Sequence, residues 1–429
     1  MAELARLGTL APVTDVERVG RLLAHLAAGV RAGRGSGGPP VLLVVDGWEQ
    51  ALDAWYPVEH GRLVDDLLRL ARDGAGGGVH LAVTGGRAVL AGPLAGLLTE
   101  HWLLRAADPA DLVMAGVPAS ALPGAMPTGR VLRLVPGGVE EAQVALPGPT
   151  AEPDDTHAGP RPHPLRLRAL PDRLALPELL DAGAAPAVAG GCLPVGLGGD
   201  EATADGPPAT GPGWLVVGGP GTGRSSALAV AGRVLLEAGR EVVGWAAAGS
   251  PVAALTAHGA AWLDPAAVGP ARLGAALVAL LHAAPEATLL VDDASRLAIE
   301  AGPGPDAGSA AGPGEEPVDE ALLRRMQTPQ QDDDRPRRRP AGPGPHLLVG
   351  CTPAQAAVAF RGVLPLLRQA RTGLLLGAVA PGDGEALGVQ VAPRPAGPVG
   401  RALLVTSGRV RAVQLADPTP VPASVGGWP

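Results

Sequence analysis

Val19, Leu22, Leu23, Leu26 and Val30 recur at helical spacing behind Thr14-Asp15-Val16-Glu17, which predicts an amphipathic helix over residues 15–32 opened by a capping box. The glycines of 33–38 end it. Val41-Leu42-Leu43-Val44-Val45 then runs apolar without alternation and stops at Asp46, the pattern of a strand buried on both faces with an acid at its C-terminal tip. A helix over 61–73 and a second buried strand over 79–84 complete a βαβ-like unit, and a third short strand is predicted at 102–104.

Periodicity stops between 148 and 164, where prolines and polar residues mark a linker. Beyond it, loosely patterned segments lead through Leu193–Gly198 to a buried strand at 214–217, a glycine-rich turn and a helix from Ser225 to about Leu236. Further apolar runs at 241–245, 288–291, 346–349 and 373–376 alternate with helical stretches, which predicts a parallel sheet between helical layers. Residues 403–405 and 410–414, joined by Thr406-Ser407-Gly408, predict a terminal hairpin. The stretch 301–345 is rich in Gly and Pro, acidic at Asp332–Asp334 and basic at Arg335–Arg339, and has too little apolar surface to fold.

The length of 429 residues suits two domains. Aromatics are only 2% against 46% hydrophobic residues, so the core is built from Ala, Val and Leu, as suits helices on parallel strands. Every one of the 34 basic residues is arginine. A net charge of −8 supplies no global cationic field for nucleic acid or anionic membrane. Cys192 and Cys351 have no His or Cys neighbours at metal-ligand spacing, so neither a disulfide framework nor a zinc site is implied, and a reducing cytoplasm fits. No apolar run reaches the length of a membrane span, and no signal-peptide pattern opens the chain.

Gly218-Gly219-Pro220-Gly221-Thr222-Gly223-Arg224-Ser225, with Ser226 behind it, fits the phosphate-loop pattern G-x-x-x-x-G-K-[ST] at every fixed position except the lysine. The glycines let backbone N–H groups turn inward around a polyanion, and the helix adds its positive end. Ser225 is positioned to place its hydroxyl on Mg²⁺. Arg224 keeps the charge of lysine in a broader, planar group, which argues for binding and against efficient hydrolysis. The bland alternative is a tight Gly-Pro-Gly turn that binds nothing. Thr288-Leu289-Leu290-Val291-Asp292-Asp293 supplies the second half of such a site, with Asp292 toward the Mg²⁺ and Asp293 where a glutamate general base often stands. In the first half Asp46 ends an equivalent strand, but no phosphate loop lies in the roughly 40 residues before it, so it reads as a relic or a helix cap. Thr84 and Thr352 are strand-end candidates for sensing a γ-phosphate, the plainer reading being turn residues, and Arg87, Arg130, Arg361, Arg368 and Arg371 are candidates for an arginine finger, the plainer reading being solvated or ion-paired surface arginines.

These residues resemble the FtsK/SpoIIIE superfamily, in particular the EccC-like ATPases of type VII secretion. In the first half the likeness rests on Val41–Glu49, Gly78–Arg87 and Met126–Arg130; in the second it rests on Leu193–Gly199, Gly218–Ser226, Leu289–Asp293, Arg371–Gly377 and Gly400–Val405. The resemblance implies an α/β fold of two RecA-like P-loop NTPase three-layer domains, the first incomplete. Residues 1–147 then correspond to the later part of a degenerate motor domain, 148–164 to a linker and 165–429 to the phosphate-loop domain with its insertion at 301–345. It implies ATP and Mg²⁺ as cofactors and a homo-oligomeric ring, or a hetero-oligomer with a full-length ATPase. It also implies double-stranded DNA or a secreted protein as the translocated substrate, a link to cell division or secretion, and a cytoplasmic place at the inner face of a membrane. A non-catalytic docking module for a partner ATPase or secretion substrate is the alternative.

Overall fold

The computed structural model describes residues 9–32, 40–135, 137–145, 165–268, 270–298, 322–323, 347–359, 362–378, 380–391 and 397–419. The predicted linker 148–164, the stretch 301–345 apart from Leu322 and Leu323, the glycines of 33–38, and Arg361 lie outside them. The chain divides into two compact units, Met1–Leu167 and Arg168–Pro429.

In the first unit, α1 (Val16–Arg31) begins where Asp15 accepts a hydrogen bond from the Arg18 N–H at 3.1 Å. The cap is therefore Asp15, one residue inside the Thr14/Glu17 box that the sequence suggested, because the carboxylate itself reaches the third helical N–H. Strand β1 (Val41–Val45) is followed by α2 (Trp48–Trp55), α3 (Arg62–Asp73) and β2 (Val79–Val83), and β1 and β2 pair in parallel with Val45 opposite Val83. One face of this pair, with Val45 and Val79, packs against Leu23, Leu67, Trp48 and Trp55 from the three helices. The other face is bare: Leu42 is 64% and Val44 58% exposed, which corrects the expectation of a strand buried on both sides.

The short helices α4 (Arg87–Leu90) and α5 (Pro109–Met114) flank strand β3 (His101–Leu103), which pairs antiparallel with β4 (Arg130–Val135), and β4 with β5 (Gly138–Gln143). The third strand thus leaves the β1–β2 sheet and opens a separate one. The hairpin β4–β5 was not legible, because β5 is mostly exposed and polar and carries little pattern.

The second unit opens with α6 (Leu176–Asp181) and α7 (Ala184–Ala189) and then adds β6 (Gly196–Gly198) and β7 (Thr203–Asp205). Next come β8 (Gly213–Gly218), α8 (Arg224–Glu237), β9 (Val242–Trp245), β10 (Ala261–Leu263), α9 (Pro265–Val268), α10 (Pro270–Ala283), β11 (Thr288–Val291) and α11 (Ser295–Ala298). The unit closes with β12 (Leu347–Cys351), α12 (Pro353–Val358), α13 (Val363–Gln369), β13 (Gly373–Leu376), β14 (Arg401–Thr406) and β15 (Arg409–Leu415). One mixed sheet runs β10-β9-β11-β12-β8-β13-β14-β15-β6-β7. The strands from β10 to β13 are parallel. The terminal hairpin β14–β15 extends the sheet antiparallel, and β6 and β7 continue it.

Each face of this sheet carries its own core. Leu290, Leu348, Val216 and Leu374 pack under Leu228, Ala231 and Leu235 of α8, whereas Leu289, Val291, Val349 and Leu375 meet Leu277, Ala356 and Leu367 on the opposite side. Alternation between two apolar layers explains why these strands read as unbroken hydrophobic runs. Small side chains let α8 sit close: a Cβ on Gly232 would lie 2.7 Å from Leu290 Cδ1.

Candidate functional site

Strand β8 is central and parallel to both neighbours, so its C-terminal end opens between those of β12 and β13. Ligands of open α/β sheets bind at such ends. From Gly218 the chain turns through Gly219–Gly223 into α8. Gly221 and Gly223 have φ of +76° and +96°, where a side chain is strained. Gly218 is glycine for another reason, since a Cβ there would lie 2.4 Å from Thr222 Oγ1. Thr222 closes the turn by donating its hydroxyl hydrogen to the Gly219 carbonyl at 2.8 Å.

No side chain caps α8, and its first turn holds no acid. Its first N–H groups and the positive end of its dipole therefore face the mouth of the loop, an arrangement that suits an anion. Gly218, Gly219, Thr222, Pro353, Gly377 and Asp383 line a pocket of about 190 Å³ beside it. The Asp383 carboxylate in that wall accepts a hydrogen bond from the Ala380 N–H at 2.8 Å.

Asp292 and Asp293 follow β11 at the same end of the sheet, and they differ in environment. Asp292 Oδ1 is buried without a hydrogen-bond partner, and so is Arg224 Nη1. Buried polar atoms are nearly always satisfied, so two orphans of opposite charge fit a site shaped for a charged ligand. Asp293 Oδ1 instead accepts from the Ser295 N–H at 2.8 Å and from Gln355 Nε2 at 2.9 Å. Burial works to raise the Asp293 pKa, but these donors, the Ser295 hydroxyl and the Arg224 charge outweigh it and hold the carboxyl below its usual value. Cys351, at the tip of β12, is pushed up to about 12 by burial.

Gln355 is the site residue that sequence reasoning missed. Its Oε1 accepts from the Thr352 N–H at 2.7 Å while its own N–H donates to Thr352 Oγ1 at 3.1 Å, a capping box that opens α12. The signal was present as Thr352-Pro353-Ala354-Gln355. Thr352, read as a γ-phosphate sensor, thus has its hydroxyl engaged as the cap of α12. Thr84 donates to Asp46 Oδ1 at 2.5 Å and accepts from the Gly47 N–H at 3.0 Å, so the acid of the first unit is held by its own strand-end neighbour. Among the finger candidates, Arg87 pairs with Asp111, Arg130 with Glu141, and Arg368 and Arg371 donate to backbone carbonyls.

No protein-family model matches the sequence, and no curated protein matches it. Solved structures do. The EssC fragment (ATPases 2 and 3) from Geobacillus thermodenitrificans superposes with a TM-score of 0.53 at 15% identity, over 94% of this chain and 80% of that one. The cytoplasmic domain of the Thermomonospora curvata type VII secretion ATPase EccC gives 0.52 at 20% identity over 97% of this chain, which spans about half (52%) of that domain. EccC ATPases 2 and 3 from the same organism, in complex with a signal sequence peptide, give 0.52 at 21% identity over 97% and 80% of the two chains. The chain therefore shares its fold with the ATPase domains of EssC and of the type VII secretion ATPase EccC.

Proposed function

We propose that the second unit is an ATP-binding domain of a secretion motor, with weak or no hydrolysis of its own. The carrying observation is the pair of buried, unpartnered atoms Asp292 Oδ1 and Arg224 Nη1 at the sheet end where the uncapped α8 begins. The loop Gly218-Gly219-Pro220-Gly221-Thr222-Gly223 and the N-terminal residues Arg224, Ser225 and Ser226 would cradle the phosphates, Pro220 contributing shape without an N–H. Ser225 and Asp292 would hold Mg²⁺, whose charge would offset that of the phosphates. Among the described residues no group of three or more His, Cys, Asp or Glu could hold a metal ion, so the cation would depend on the nucleotide's own oxygens.

Weak turnover follows from two features. The Arg224 guanidinium brings a planar fork where lysine brings a compact charge. Asp293 is a poor base because its depressed pKa leaves it little affinity for a proton, and its Oδ1 already holds Ser295 and Gln355. In this reading residues 1–147 are the later part of a second, degenerate motor domain, joined by 148–164 to the domain at 165–429.

A secreted protein is favoured over double-stranded DNA as the cargo: the formal charge is −8, and one structural neighbour is complexed with a signal sequence peptide. The chain would act at the cytoplasmic face of a membrane as part of a homo-oligomeric or mixed ring, with any membrane contact made through partners. Among the described residues no helix is long and apolar enough to cross a membrane. The engaged Asp293 equally favours a second reading, a docking module in which bound nucleotide only rigidifies the domain. Parallel assays of ATP binding and steady-state hydrolysis, on the chain and on an Arg224→Ala/Ser225→Ala variant, separate these readings. Binding that the variant loses supports the nucleotide site in both readings; measurable turnover, also lost in the variant, favours the motor over the docking module; no binding overturns both.

A further inference from the structure

The pocket of about 190 Å³ at the end of β8 has walls of two kinds. Its floor is apolar, from Val217, Leu375, Leu376 and Pro353, and no aromatic ring stands among the described residues that line it. Gly218, Gly219 and Thr222 belong at once to this pocket and to the loop that opens α8. Asp383 supplies the one charge among those lining residues.

Asp383 is fixed in its place. The helical segment Pro381–Leu387 that carries it is anchored by the buried Ala386 and Leu387 in the core on the side of the sheet opposite α8. The turn before it is closed from both ends: the Ala380 N–H donates to Asp383 Oδ2 at 2.8 Å, and the Asp383 N–H donates to the Ala380 carbonyl at 3.1 Å. The end of β13 comes up against the loop because residue 377 is glycine; its φ is +58°, and a Cβ there would lie 2.9 Å from Thr222 Cγ2. A held carboxylate therefore stands in the wall next to the phosphate loop.

Charge then divides the site in two. The N-terminus of α8 and Arg224 suit phosphates, whereas a carboxylate repels them and only accepts hydrogen bonds. A carboxylate offers about four lone-pair sites, so the bond from Ala380 leaves room for hydroxyl donors. Volume narrows the choice further. Pockets that enclose whole drug-sized ligands measure about 300–1,000 Å³, so this one encloses only part of a nucleotide. With no ring to stack a base, its methyl floor and acceptor wall match a sugar with vicinal hydroxyls.

We propose that this pocket is a ribose subsite, in which Asp383 accepts hydrogen bonds from the sugar hydroxyls of the nucleotide whose phosphates lie on the Gly218–Ser226 loop; the proposal rests on the nucleotide reading of that loop. Doubly wound sheets that bind NAD set an acid on a ribose hydroxyl in the same way. The base stays outside the pocket, so the site reads the sugar and tolerates different bases.

The test is calorimetric titration of the full chain, at one Mg²⁺ concentration, with ATP, GTP, dideoxy-ATP lacking both ribose hydroxyls, and inorganic tripolyphosphate. The series is repeated on Asp383→Asn, which keeps an acceptor for the Ala380 N–H. ATP and GTP should bind alike, and dideoxy-ATP about tenfold more weakly, the loss expected for a hydrogen bond to a charged group. In Asp383→Asn that preference should fall severalfold while tripolyphosphate binding does not weaken. Equal affinities for ATP and dideoxy-ATP, a preference that Asp383→Asn leaves unchanged, a larger discrimination against GTP than against dideoxy-ATP, or tripolyphosphate weakened in step with ATP overturns the proposal while the nucleotide site stands. Binding of neither ATP nor tripolyphosphate overturns the nucleotide reading, and the ribose subsite with it. Should circular dichroism show the variant unfolded, the wild-type series alone still tests the proposal.

Discussion

Replacing Gln355 by alanine removes the amide that joins two strand ends. The Nε2 bond at 2.9 Å goes to an ionised carboxylate, and the Oε1 bond at 2.7 Å satisfies the first N–H of a helix cap. A hydrogen bond to a charged group contributes about 1.5–3 kcal/mol and a cap about 1 kcal/mol, but Asp293 keeps its Ser295 donors and is only partly buried. The net loss is about 1–2 kcal/mol, which in a unit of this size lowers the midpoint by roughly 3–6 °C in scanning calorimetry at pH 7.

The sign with pH follows from the lowered folded pKa of Asp293. Stability from this group is present above the ordinary value of 3.8 and is lost as pH falls through the depressed one. The gap between wild type and Gln355→Ala should therefore be constant from pH 5 to 8 and narrow in acid, down to the part contributed by the cap bond to the Thr352 N–H, which does not titrate. Gln355→Glu sets a second carboxylate against Asp293, so it should destabilise more at neutral pH and recover when one of the pair is protonated. Equal midpoints for wild type and Gln355→Ala at pH 7, or a gap that does not narrow at all in acid, would refute the role given to this amide.

Gly218→Ala should cost about 1–3 kcal/mol in urea denaturation and abolish nucleotide binding, because the added Cβ would lie 2.4 Å from Thr222 Oγ1 and 2.9 Å from Leu376 Cβ. Leu290→Ala should cost about 2–5 kcal/mol, whereas Val44→Ala on the bare face of β1 should stay within about 0.5 kcal/mol, which paired denaturation curves compare directly. Cys351 should resist thiol reagents at pH 8 in the native state. Because its folded pKa is raised from 9.0 to about 12, its contribution to stability is full below pH 9 and lost as pH rises toward 12, a slope that Cys351→Ala should flatten.

The second unit was largely legible because its strands are buried on both faces. Unbroken runs such as Thr288–Val291 and Gly373–Leu376 were located to the residue, and Gly218–Ser225 announced the turn that β8 and α8 require. Short strands at or next to the sheet edges escaped: β6, β7 and β10 have three residues each, too few for a period. The same reading misled in the first unit, where Val41–Val45 looks like a central strand yet has one bare face. Hydrophobic pattern records what a strand is suited to meet, and among the described residues nothing covers that face.

At the candidate site, spacing singled out the glycines and Asp292, while Asp293 and Thr352 were weighed as chemical or merely strand-end residues without sight of Gln355, which the fold brings across 62 positions to Asp293. Tertiary pairing of that kind has no local signature. The capping box around it did, in Thr352-Pro353-Ala354-Gln355.

The central claim is that the Gly218–Ser226 loop and Asp292 form a nucleotide site, and equilibrium titration of ATP by calorimetry, with and without Mg²⁺, tests it most directly. The account predicts saturable binding that Mg²⁺ strengthens, that loses its Mg²⁺ dependence in Asp292→Asn, and that disappears in Arg224→Ala/Ser225→Ala. Heat of dilution alone for the wild-type chain, or binding that the double variant leaves intact, would contradict it.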